Sequence, residues 1–107
     1  MKTDSELATL FAALGHPSRV AILRDLLAHA NQGRQFGELS KDLLIPASTL
    51  THHLNEMEKA GILNRETQGR TTRLGLNLDA LAQALQQLTR LCCATDFAQP
   101  TQTEAAK

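Results

Sequence analysis

At 107 residues the chain has room for one hydrophobic core, and its 42% hydrophobic and 21% charged residues exclude a wholly disordered protein. Eleven basic residues balance eleven acidic ones, so any case for nucleic acid has to be local rather than global. Two adjacent cysteines, Cys92 and Cys93, exclude a disulfide scaffold.

No apolar run reaches the roughly 18 residues that suggest a membrane-spanning helix. The start Met1-Lys2-Thr3-Asp4-Ser5-Glu6 lacks the apolar segment of a secretory signal, so the expected address is the cytoplasm, with no membrane partner. Three Phe, with neither Trp nor Tyr, leave the core to Leu, Ile, Val and Ala. So small a core makes oligomerisation an expected source of stability.

Leu7, Leu10, Phe11 and Leu14 share one helical face, with Ser5 as the expected N-cap and Gly15 as the stop. A second helix is expected from about Pro17 to His29, with Val20, Ile22, Leu23, Leu26 and Leu27 on a broad apolar stripe. His16, just before it, reads as a cap rather than a ligand. Residues 31–35 read as a polar loop. A third helix begins near Gly37, carries Glu38 in its first turn and turns Leu39, Leu43 and Leu44 to one side. Pro46 interrupts it. A fourth helix follows from about Ala47 to Ala60, with Leu50, Leu54 and Met57 inward and Gly61-Ile62 closing its end.

From Leu63 the period changes. Residues 64–68 and 71–77 read as two strands joined at Gly69-Arg70, with Thr72, Leu74 and Leu76 on one side of the second. A last helix then carries Leu78, Leu81, Leu85, Leu88 and Cys92 at spacings of 3, 4, 3 and 4, the narrow seam of a helix that packs on another helix. Residues 95–107 show no period and read as a flexible tail, leaving a domain of 1–94. The fold class is mainly α with a small β-hairpin: a helix-turn-helix at 37–60 and a wing directly after it.

The exposed side of the fourth helix should carry Ser48, Thr49, Thr51, His52 and Asn55, hydrogen-bonding groups without acidic charge. Recognition helices use such residues on base edges in the major groove. A merely solvated face would carry Glu and Lys, which arrive only at Glu56, Glu58 and Lys59. The hairpin sets Arg65, Arg70 and Arg73 against Glu66, and an arginine at its tip can reach phosphates or a narrow minor groove. Such arginines also serve as edge charges that block strand pairing. Adjacent cysteines are poor disulfide partners and too few for a closed zinc site. They suit a soft ion of low thiolate coordination, or else simple packing on the apolar seam. No phosphate loop, nucleophile elbow or paired carboxylate appears, which argues against an enzyme.

These residues form a recognisable set. The segments Leu14-Gly15-His16-Pro17-Ser18-Arg19-Val20-Ala21-Ile22-Leu23, Gly37-Glu38-Leu39, Ser48-Thr49-Leu50-Thr51-His52-His53-Leu54 and Glu58-Lys59-Ala60-Gly61-Ile62-Leu63 resemble the ArsR/SmtB family of bacterial winged-helix repressors. The likeness covers roughly residues 6–94. It implies a homodimer joined through the first and last helices, for which Leu7, Leu10, Leu78, Leu81, Leu85 and Leu88 are the expected interface. It also implies a double-stranded operator, an inverted repeat, with the fourth helix in the major groove and the hairpin as wing.

The family's Cys-x-Cys sensor is absent from residues 35–43, and Asp79 has no His partner for a zinc site on the last helix. Leu91-Cys92-Cys93-Ala94 resembles the arsenic-responsive subgroup with adjacent cysteines at the end of that helix. The third cysteine frequent in that subgroup is missing, which excludes a three-thiolate arsenite site within one subunit. The implied inducer is As(III), Sb(III) or methylarsenite on Cys92 and Cys93, with no permanent cofactor. Redox or persulfide sensing, and zinc shared across the dimer, use the same cysteines. A protein-binding dimerisation module without DNA binding is the reading from another class. A charge at Leu85 is expected to break the dimer and destabilise the fold together.

Overall fold

The structure is a computed structural model that describes residues 1–93, so the expected tail, and residue 94 before it, lie outside the described residues. Helix α1, Asp4–Leu14, starts at Thr3 rather than at Ser5. Thr3-Asp4-Ser5-Glu6 is a capping box: the Thr3 hydroxyl accepts from the Glu6 N–H at 3.1 Å, and the Glu6 carboxylate accepts from the Thr3 N–H at 2.9 Å. Two reciprocal bonds outweigh the single one that Ser5 offers. That backbone bond also holds the Glu6 carboxyl below its ordinary range.

Helix α2, Pro17–Ala28, is capped by His16, whose Nδ1 accepts from the Ser18 N–H at 3.3 Å. The polar loop beyond it contains a strand, β1 (Arg34–Gln35), absent from the sequence reading. Gly33 makes the strand possible. It has φ +73°, and a Cβ there would stand 2.8 Å from the Leu74 carbonyl oxygen. Arg34 then fastens the strand, with Nε 2.9 Å from the Asp25 carboxylate, a bond to Asp42 and Glu38 at 4.0 Å.

Helices α3, Phe36–Leu43, and α4, Ala47–Lys59, form the helix-turn-helix. Both end in one hydrogen-bond pattern. Gly61 and Ile62 donate to Glu58 and Met57 after α4, and Leu44 and Ile45 donate to Lys41 and Ser40 after α3. The pattern wants a left-handed residue. Gly61 supplies it at φ +82°, whereas in the turn Leu44 is forced to φ 55°. Leu44 therefore leaves the inward stripe and stands 87% exposed. Leu44→Gly should raise stability by about 0.5–1 kcal/mol in chemical denaturation, because it relieves the left-handed strain and gives up no burial. A loss would mean that the leucine holds the turn.

Strands β2, Leu63–Gln68, and β3, Thr71–Leu76, pair antiparallel around Gly69-Arg70, and β1 joins the free edge of β3 to give the order β1-β3-β2. Leu74, opposite both Arg34 and Arg65, is the fully buried residue of β3. The core is aliphatic, as expected: Leu10, Ile22, Leu26, Leu39, Leu50, Leu54, Met57, Ile62 and Leu74. Leu10, an expected interface residue, is thus only 1% exposed. It belongs to the protomer's own core and offers no surface to a partner.

Helix α5, Leu78–Cys93, buries Ala80 and Ala84, with Leu81 packed against the core. Its leucines Leu78, Leu85, Leu88 and Leu91 face outward. The carboxamide of Gln87 bonds both the N–H and the carbonyl of Lys2, at 3.0 and 2.8 Å, which pins the start of the chain to α5.

Candidate nucleic-acid interface

Helix α4 is divided cleanly. Leu50, His53, Leu54 and Met57 are buried, at the i, i+3, i+4, i+7 spacing of one face. Ser48, Thr49, Thr51, His52 and Asn55 are all exposed on the other side. The Thr51 hydroxyl donates to the Ala47 carbonyl at 2.9 Å, which leaves its oxygen lone pairs and its methyl outward. Asn55 Oδ1 accepts from Arg65 Nη2 at 2.9 Å, and the same nitrogen lies 3.1 Å from Glu58.

The three wing arginines have different surroundings. Arg70 is exposed at the Gly69-Arg70 turn. Arg73, directly opposite Glu66, donates from Nη1 to the Gln32 carbonyl at 2.8 Å and so anchors the loop before β1. Its charge is drawn back from the tip. Arg65 is lodged between β2 and α4. The exposed charge at the tip of the wing is therefore Arg70.

A buried histidine on the inner side of α4, with the exposed His16 and His52 beside it, escaped the sequence reading. His53 is 4% exposed, and its Nδ1 accepts from Arg19 Nε at 3.0 Å. The ring of His16 meets it edge-on at 4.6 Å between centroids, and Arg19 Nη1 reaches the Ala13 carbonyl at 3.4 Å. Because Nδ1 accepts, the proton of the neutral ring sits on Nε2. Burial first, then the charges of His16, Arg19 and His52, push the His53 pKa below its ordinary value. The signal lay in the spacing: position 53 falls on the core stripe, and a polar group there requires a partner.

Away from this face, Leu78, Leu85 and Leu88 of α5 are exposed with Leu91, while Leu7 and Leu81 are half-buried against the core. Cys92 and Cys93 are both exposed at the end of α5. Among the described residues no cluster of three or more His, Cys, Asp or Glu could hold a metal ion. Among them also, no helix is long and apolar enough to cross a membrane.

A helix with a polar outer face, a turn-linked support helix and a basic-tipped hairpin define a winged helix-turn-helix domain, a DNA-binding fold. A family model described as a helix-turn-helix domain matches residues 14–66. The HTH-type transcriptional regulator MJ1325 of Methanocaldococcus jannaschii is 36% identical over 69 residues, covering 64% of this chain and 75% of that one. The structure superposes on an ArsR-like transcriptional regulator from Rhodococcus sp. RHA1 with a TM-score of 0.76 at 24% identity, over 96% of this chain and 94% of the other. It also matches a homodimeric winged helix-turn-helix DNA-binding domain from Mycobacterium bovis, with a TM-score of 0.62 at 18% identity over 80% and 88% of the two chains.

The chain belongs to the HTH-type transcriptional regulators and has the winged-helix fold of ArsR-like regulators. It is a regulator of transcription and not an enzyme.

Proposed function

We propose that this chain, through its domain of residues 1–94, is a homodimeric repressor of an inverted-repeat operator, released when a trivalent arsenical or antimonial bridges Cys92 and Cys93. The observation that carries the reading is the exposed, uncharged, hydrogen-bonding face of α4 with Arg70 beside it. Ser48, Thr49, Thr51, His52 and Asn55 supply base-edge groups, and Arg70 supplies a phosphate contact. The exposed leucines of α5 support pairing with a second copy, as does the homodimeric state of the M. bovis domain. An isologous pair of reading helices matches a palindromic site.

The proposed release uses helix geometry. α5 is helical through Cys93, so the two side chains leave it about 100° apart. One arsenic atom bonded to both sulfurs requires the last turn to unwind. A change there, at the end of the dimer helix, biases the spacing of the two reading helices.

The test is retention of DNA by the purified protein, with and without arsenite, methylarsenite, zinc and peroxide. Thr51→Ala and His52→Ala should weaken specific binding far more than non-specific binding, whereas Arg70→Ala should weaken both and reduce the salt slope by about 1. Equal losses on both DNAs from the α4 variants would remove α4 as the reader. Cys92→Ser and Cys93→Ser should each keep DNA binding and lose release by the arsenicals. Release that survives both substitutions would place the inducer elsewhere, and release by zinc or peroxide alone would replace the arsenical.

A further inference from the structure

Arg65 does something that its place among the wing arginines does not suggest. It shares a sheet face with Leu74, the side turned toward the helices, and reaches across to α4 instead of out to solvent. Nη2 serves two acceptors, Asn55 Oδ1 at 2.9 Å and Glu58 Oε1 at 3.1 Å. Nε is shut off from solvent with no hydrogen-bond partner, as expected for a guanidinium lodged in place rather than swung toward a phosphate. Asn55 itself is exposed, the last of the polar positions along the outer side of α4.

A carboxamide has two different ends, and an arginine can satisfy only one of them. Guanidinium groups donate and never accept, so the end of Asn55 that faces Arg65 has to be the oxygen. The bond is charge-assisted, which makes that orientation the strongly preferred one. Glu58, on the same nitrogen, holds the guanidinium at its post. The end of Asn55 left for a ligand is then Nδ2, a donor. An unrestrained asparagine reads adenine by using both ends at once, accepting from N6 and donating to N7. With the oxygen turned to the wing, Nδ2 alone meets the groove and takes any acceptor: O6 or N7 of guanine, O4 of thymine, or N7 of adenine without the second bond to N6. Cytosine, which shows a donor there, is rejected.

We propose that Arg65 is a positioning residue that sets the base preference of Asn55, turning it from a two-bond adenine reader into a single donor that favours adenine no more than guanine or thymine and disfavours cytosine. The inference rests on α4 being the sequence reader.

Selection from a randomised double-stranded DNA library, with the full chain, tests it. The wild type should return a motif with one position per half-site poor in cytosine and without preference for adenine over guanine or thymine. Asn55→Ala should flatten that position and no other. Arg65→Met should move the same position toward adenine, by about tenfold in the ratio of adenine to guanine or thymine. Arg65→Lys, which still donates, should keep the wild-type preference and guards against loss of the fold. The double variant Arg65→Met with Asn55→Ala should match Asn55→Ala alone. Two results would overturn the proposal: a uniform loss of affinity with a flatter salt dependence in Arg65→Met, which marks a phosphate contact, or a shift in preference that persists without Asn55. A wild-type library with no motif would instead remove α4 as reader, and the proposal with it.

Discussion

Leu85→Lys should give a folded monomer that holds specific DNA poorly. Leu85 is 58% exposed in the single protomer, while its neighbour Ala84 is buried, so the substitution touches the outer face of α5 and spares the core. This divides the expectation drawn from the sequence, in which dimer and fold fail together. The protomer keeps its nine fully buried side chains, Leu10 to Leu74, whatever stands at position 85. Burial of one leucine contributes roughly 2 kcal/mol, and a two-fold interface loses it twice. The dimer dissociation constant should therefore rise by about a thousandfold, before any cost of facing two lysines. Sedimentation velocity with circular dichroism at equal concentration reads both halves of the claim. A variant that still sediments as a dimer would place the interface away from α5. One that is monomeric and unfolded would show that the protomer cannot stand alone.

The example shows what a sequence conveys and what it withholds. The 3, 4, 3 leucine spacing at 78–88 announces an apolar stripe, but not whether the stripe faces this chain or another. In the fold the buried residues of α5 are Ala80 and Ala84, small residues with little pattern of their own, and of the stripe Leu81 alone packs against the core beside them. Conversely Leu10, assigned to the interface by the family resemblance, is consumed by the protomer's core. The helices were legible because their apolar positions recur over three or four turns, and the hairpin because Gly69 stands between two residues that pair, Gln68 and Thr71. Strand β1 was not, because two residues carry no period and the strand depends on Gly33 approaching β3. Leu44 was misplaced because leucine spacing ignores where a helix stops. The Thr3 cap was readable in Thr-x-x-Glu and lost to the nearer serine. Within the reading face, the outward set on α4 could be listed from the sequence. The bond that turns Asn55 toward Arg65 could not, since ten residues and a strand separate them.

The stability of the domain should fall with acid through His53, and the sign follows from its surroundings. Everything facing the ring is either neutral or positive: His52 on its own helix, and His16 and Arg19 from the start of α2. Burial and these charges lower its folded pKa, so the unfolded chain takes the proton first as pH falls. The contribution of His53 is complete above its ordinary value of about 6.5. Below that it declines, by up to about 1.4 kcal/mol per pH unit, until the folded protein binds the proton too. Protonation also removes the Nδ1 acceptor that Arg19 uses, which loosens the strut between α2 and α4. His53→Gln keeps an acceptor and cannot titrate, so it should flatten urea-unfolding stability between about pH 6.5 and 5. His53→Ala at pH 8 should cost roughly 3 kcal/mol, from the cavity together with an Arg19 Nε left without its partner. An unchanged slope in His53→Gln would assign the acid sensitivity to another group. A loss in His53→Ala below about 1 kcal/mol would mean that Arg19 finds a second acceptor and that the strut is redundant.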